Sequence, residues 1–512
     1  MPNTFYITTA IDYVNSLPHI GTAYEKIGAD ALARFRRMEG DDVRFQMGND
    51  EHSVNVKKAA ESQGLHPKDY CDQMRGKFTE IWKKLHISYD DFIQTSEPRH
   101  HEASKKLFKK IFETGDIFEG EYEGWYCESC EAFYTEKDLT DGLCPNHKQK
   151  PKWLKEKNFF FRLSKYQAPL LKHIEDHPEF VLPEIRRNEV VSLLKRGLED
   201  ISVSRSGFDW GIPVPNDPGH VIYVWFDALI NYLTAVGYEA DEDQFKKWWP
   251  ASVHVIGKDI TRFHCVIWPA MLMSAGLPLP KTVFGHGFVY LKGEKMSKTL
   301  GNVVTPLDVA DRFGPDALRY YLLRGSSFGA DGNFTWEDFI TRYNSDLAND
   351  LGNLLSRTLG MAKKYFEGKV KTGESADSDQ GLIRKAKETE EKVRAAMDYL
   401  RGDMDFHHAL SAVWELIAAG DKYVDTSAPW TLKKNNQIER LNQVLHNLVN
   451  VLRLAGLWIS PFMPETSEKI YRQLNLPFPQ TFQEAASWEG LPSSHTLGES
   501  FILFPRIEAP AE

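Results

Sequence analysis

Apolar and polar positions change period along this chain, from short runs in its first two thirds to long stripes in its last. Residues 5–9 are β-branched and aromatic and predict a strand. Asn15, Ser16 and Pro18 break it, and an amphipathic run over 20–35 predicts a helix. Residues 42–47 predict a second strand, ending at Gly48, Asn49, Asp50, Glu51 and His52. Helical spacing runs through 70–85 and 102–114. Residues 158–162 resume a strand, 221–229 read as a strand running into a helix, and 252–259 read as another strand. Strands alternating with helices predict a doubly wound, parallel α/β sheet. Past residue 345 the strand signals fade. Ile438, Leu441, Val444, Leu445, Leu448, Leu452 and Ala455 keep helical spacing until Ser460 and Pro461, and similar stripes cover 347–365 and 407–424. An all-α helical bundle is expected there, with a surface loop around 375–379.

With 512 residues the chain is too long for one core. A net charge of −10 argues against a generally basic nucleic-acid binder but leaves room for local basic patches. No apolar run reaches membrane-spanning length, so no membrane partner is expected. Strand residues begin within a few positions of Met1, which leaves no room for a leader. Five cysteines in a chain of this length do not make a disulfide framework. A reduced, cytoplasmic protein is expected.

Candidate chemistry gathers at four places. Pro18-His19-Ile20-Gly21-Thr22 falls where the first helix begins. Free N–H groups there seat phosphate, Gly21 lets a ligand approach the backbone, and His19 can donate to a phosphoryl oxygen. His19 as a plain helix cap is the other reading. Lys295-Met296-Ser297-Lys298-Thr299 lies on a Gly-flanked loop after a strand, where two lysines can oppose a polyphosphate. Asp50 either pairs with a ligand amine or caps the next helix, near Ser53. Cys127, Cys130, Cys144 and His147 form two pairs with two residues inside each and thirteen between them. That is the spacing of a Cys₃His knuckle for one structural zinc ion, closed to substrate.

The His19–Thr22 and Lys295–Thr299 stretches resemble the HIGH and KMSKS signatures of class I aminoacyl-tRNA synthetases. Thr22 stands for the second His and Thr299 for the final Ser. Over nearly the whole chain the resemblance is to the methionyl-tRNA synthetase family. It implies a Rossmann-like catalytic domain in halves, 1–115 and 221–304, around a zinc-knuckle insertion, 116–220. A linker over 305–345 and an anticodon-binding bundle over 346–512 follow. It implies catalysis by His19, Gly21, Thr22, Lys295 and Lys298, with ATP held by His19, Gly21, Lys295, Met296, Ser297, Lys298 and Thr299 and accompanied by Mg²⁺. It implies a methionine pocket of Ile11, Tyr13, Asp50, Trp225, Ala228, Leu229, Tyr232, Ile260, His264 and Trp268, with Tyr13 or His264 giving sulfur a polar contact. The family favours Pro where Leu229 stands and an aromatic where Arg262 stands. Asn353, Arg357 and Trp430 match its anticodon-reading surface. L-methionine, ATP and tRNA(Met) are the implied partners, and the absence of an added module after the bundle suggests a monomer. Residues alone leave two alternatives: another class I synthetase, or a non-catalytic RNA-binding relative on the same scaffold. The chain is too short for the editing insertion of the leucine, isoleucine and valine enzymes.

Overall fold

The computed structural model describes residues 3–508 apart from 128–131, 135, 146–147, 216, 296–303 and 403. The alternation of strands and helices builds a seven-stranded sheet in which every pairing is parallel. Strand Thr4–Thr9 runs through its middle, with Asp42–Asp50 on one side and Val253–Gly257 on the other. The chain therefore reverses its direction of spread at this line, where open sheets place ligands. Asp91–Gln94 forms one edge; Val283–His286 and then Val181–Leu182 form the other.

Successive side chains of the central strand serve different cores, as a period of two demands. Phe5 and Ile7 join one cluster and Tyr6 the other. The first cluster continues through Leu318 and Leu322 of helix Pro315–Gly325 to Leu448 and Leu452 of helix Ile438–Ile459. Sheet and bundle thus share one apolar core. Arg319 pins that seam from a fully buried position. It donates to the carbonyls of Leu85, Pro461 and Phe462 at 3.2, 3.0 and 2.7 Å and pairs with Asp30 at 2.7 Å. A guanidinium can satisfy four such partners at once, whereas an ammonium has only three protons.

Three expectations change. Val181–Leu182 falls inside the stretch read as an insertion, yet it closes an edge of the parallel sheet. The strand expected at 221–229 is Asp217–Ile222, which pairs antiparallel with Ser204–Ser206 and Pro213–Val214, outside the main sheet. Its first four residues are not buried, which a small antiparallel sheet tolerates and a doubly covered parallel one does not. The loop expected around 375–379 is already helix from Asp377, and Asp379 is buried against Arg440 at 2.7 Å. A polar run had hidden a carboxylate whose partner lies sixty-one residues away.

The strand at 158–162 begins earlier, as Lys152–Phe161, and pairs along its length with Ile117–Cys127 in a separate antiparallel sheet. Bundle helices Asn353–Phe366, Asp377–Ala396, Phe406–Ser427 and Ile438–Ile459 follow the expected stripes. Among the described residues no helix is long and apolar enough to cross a membrane.

Candidate active site

Four parallel strands end at one cavity of about 390 Å³. Ala10 to Tyr13, Asp50, Gly257 and His286 to Val289 bring their carboxyl ends to it. Eight of the residues expected from sequence line it together: Ile11, Tyr13, His19, Gly21, Thr22, Asp50, Trp225 and Ile260.

His19 takes extended backbone and caps helix Ile20–Met38, its Nδ1 accepting from the Thr22 N–H at 3.3 Å. Capping and ligand contact are therefore compatible: acceptance at Nδ1 leaves the proton of a neutral ring on Nε2. Asp50 ends its strand, and the next helix, Val54–Ser62, is capped by Ser53 instead. The capping alternative for Asp50 falls.

Residues 296–303 lie outside the described residues, so Met296, Ser297, Lys298 and Thr299 are not placed. Both flanks of that loop are. Val289–Leu291 and Glu294–Lys295 form a hairpin with Tyr290 opposite Lys295. Its turn, Lys292-Gly293, has φ of +51° and +82°, the pair of positive values that a tight two-residue turn requires. On the far side, the Val304 carbonyl accepts from the Ile20 N–H at 3.1 Å. The loop thus leaves from one wall of the cavity and returns to the helix start at the other.

The aromatic residues divide into a wall and a layer behind it. Trp225 stacks on Phe263 with centroids 4.1 Å apart, and Tyr13 meets Trp225 edge-on at 5.8 Å. Ala228, Leu229, Tyr232, His264 and Trp268 are buried and stay off the cavity surface. His264 Nδ1 donates to the Ile260 carbonyl at 3.1 Å and Nε2 accepts from Tyr232 Oη at 2.7 Å. Both nitrogens are used, so the expected direct contact of His264 with sulfur is not set up here. Burial pushes its imidazole down to about 4 and keeps it neutral. The segment carrying His264 and Trp268 passes through a π-helical turn, Phe263–Ile267, which rotates the residues after it.

Behind the wall, Asp227 takes His52 Nδ1 at Oδ2 and His100 Nε2 at Oδ1, both at 2.6 Å. Burial alone would raise its carboxyl; the two histidines hold it far below the usual range instead.

Sequence reasoning missed a charged group on the floor. Lys26 is fully buried and donates to Glu25 at 2.6 Å, Asp12 at 3.1 Å and the Ala10 carbonyl at 2.9 Å. Glu25 also meets His286 Nε2 at 3.0 Å. Two carboxylates share one ammonium; burial pushes Asp12 up to about 6, while Lys26 and His286 overcome the burial of Glu25 and keep it low. Glu25 sits three and four residues past Thr22 and Gly21, hence on their helical face, which was the available signal. Phe263, three residues past Ile260, was legible the same way.

In the bundle, Asn353 and Trp430 are exposed and Arg357 is partly so. Arg357 pairs with Asp425 at 3.3 Å, five residues before Trp430, so the structure brings the three to one end of the bundle. Cys127 and Cys144 are buried thiols outside any disulfide. Cys130 and His147 lie outside the described residues.

A switch-point cleft with a helix start at one wall and both flanks of a lysine-bearing loop beside it has the build of a class I aminoacyl-tRNA synthetase. The family model "tRNA synthetases class I (M)" matches residues 5–152 and 137–359, and "Anticodon binding domain of methionyl tRNA ligase" matches 370–511. The chain belongs to the methionyl-tRNA synthetase family. The methionine–tRNA ligase of Caldanaerobacter subterraneus subsp. tengcongensis is 50% identical over 515 residues, covering all of this chain and 80% of that one. That of Thermotoga maritima is 45% identical over 510 residues, covering 99% and 80%. Mycobacterium tuberculosis methionyl-tRNA synthetase, solved with methionyl-adenylate, superposes with a TM-score of 0.93 at 42% identity, covering 98% of this chain and 100% of that one.

Proposed function

We propose that this enzyme joins methionine to tRNA(Met) in two steps. In the first, a methionine carboxylate oxygen bonds the α-phosphorus of ATP, the α–β bridge breaks, and pyrophosphate leaves. In the second, a hydroxyl of the terminal tRNA ribose attacks the methionyl carbonyl, and AMP leaves. No covalent enzyme intermediate is needed, so positioning and charge stabilisation carry the catalysis. His19 and Gly21 meet the phosphates; Lys295 and Lys298 oppose the polyphosphate charge, with Mg²⁺ arriving on ATP. Asp50 takes the ammonium group. Trp225, Tyr13 and Ile260 form the slot for the thioether, whose polarizable sulfur suits aromatic neighbours.

The observation that carries this reading is one cavity bordered by Asp50 and Trp225 and by His19 and Gly21, with both flanks of the lysine loop at its walls. At the far end, Trp430 stacks an anticodon base while Asn353 and Arg357 read edges. Cys127, Cys130, Cys144 and His147 hold a structural zinc ion; the two described thiols, buried and not in a disulfide, suit soft metal ligation. A cytoplasmic location suits an enzyme that consumes ATP and tRNA. Pyrophosphate exchange with each of the twenty amino acids tests the reading. Exchange with methionine alone is expected; exchange with another amino acid, or with none, overturns it.

A further inference from the structure

We propose that Asp227 is a positioning residue for the amino-acid end of the cavity: by holding His52 and His100 it fixes the spacing between the Asp50 carboxylate and the Trp225 ring. The inference rests on the roles given above to Asp50 and Trp225. Asp50 and His52 lie two residues apart at the end of one strand, and Trp225 and Asp227 lie two apart on helix Val224–Leu229. The first of each pair lines the cavity. The second of each pair is sealed off from solvent, and the two meet at 2.6 Å. One buried bond therefore spans the same two segments that present the ammonium anchor and the aromatic wall.

The third arm prevents this clamp from sliding. His100, on helix Pro98–Glu113, reaches the other carboxylate oxygen at 2.6 Å and braces its Nδ1 against Thr234 Oγ1 at 3.1 Å. Thr234 in turn donates to the Ile230 carbonyl at 3.2 Å. Asp227 does not line the cavity, so it acts through what it holds. A buried carboxylate with both oxygens bonded keeps one geometry, because any shift strands a charge without a partner. A misplacement of about 1 Å in a reacting geometry costs about a hundredfold, so a loosened clamp is measurable.

The test is methionine-dependent pyrophosphate exchange by the full chain carrying Asp227→Asn, His52→Ala or His52→Asn. In His52→Asn the side-chain amide stands near the lost Nδ1 and can still donate to Asp227. Expected for Asp227→Asn and His52→Ala is a KM for methionine raised about tenfold or more, with the KM for ATP within about twofold of the parent chain. His52→Asn is expected to recover most of the methionine KM. Equal rises in both KM values, or a lowered Tm with an unchanged methionine KM, overturns the proposal. If Asp227→Asn does not fold, the two His52 variants decide. Absence of methionine exchange in the parent chain would instead overturn the reading of the cavity itself.

Discussion

Charge is handled in opposite ways at the two ends of the molecule. Beside the cavity, buried charges are multiply bonded: Asp227 between two histidines, Lys26 among two carboxylates and a carbonyl. At the bundle tip Arg357 is partly exposed and leans on Asp421 and Asp425 at 3.8 and 3.3 Å. The cavity must hold a small substrate in one geometry, so its charges are fixed in low dielectric where they are strong. Under the proposed anticodon reading the tip exchanges water for an RNA base, which suits groups that stay solvated and weakly held. Rigidity and adaptability are distributed by function, although one apolar core joins both ends.

The contrast breaks most visibly at Asp50. Asp50→Ala removes the carboxylate proposed to meet the ammonium group, and the methionine KM in pyrophosphate exchange is expected to rise about a hundredfold or more, with little change in the ATP KM. At the tip, Trp430→Ala should lower aminoacylation about tenfold through the tRNA KM, from the loss of one stacked base, while pyrophosphate exchange stays unchanged.

Acid sharpens the same contrast. Burial pushes Asp421 up to about 6, helped by Asp350 and Asp425 and opposed by Arg357. A carboxyl raised in the folded state contributes stability at low pH that fades as pH rises through 6. Its negative charge also opposes RNA above that point. Affinity for tRNA is therefore expected to rise roughly two- to fivefold between pH 7 and 5 at fixed salt, a trend lost in Asp421→Asn and measurable by filter binding. His264 behaves in the reverse sense. Its ring is lowered to about 4, so between the ordinary value of 6.5 and 4 the unfolded chain takes a proton that the folded one does not. Tm should fall with acid across that window, while this ring leaves the methionine KM flat from pH 8 to 5.

Local signals reached the sheet, the helix start and the bundle because periodicity and breakers are written in neighbouring residues. Strand 5–9 and helix 20–35 appear within a few residues of their expected ends. What required distance stayed hidden. Val181–Leu182 is two residues of sheet whose partner lies a hundred positions later. Lys26 looks like a solvated helix position until Asp12 and the Ala10 carbonyl close over it. Trp268, withdrawn from the cavity wall, follows a π-helical turn that residue spacing does not announce.

The central claim is that the helix start at His19 and the loop bearing Lys298 act on one triphosphate. A double-mutant cycle of His19→Asn and Lys298→Ala in methionine-dependent pyrophosphate exchange tests it most directly. Each single change is expected to cost about a hundredfold, and the double change far less than the product, because groups that act as a unit are not additive. Strict additivity of the two losses would contradict the account.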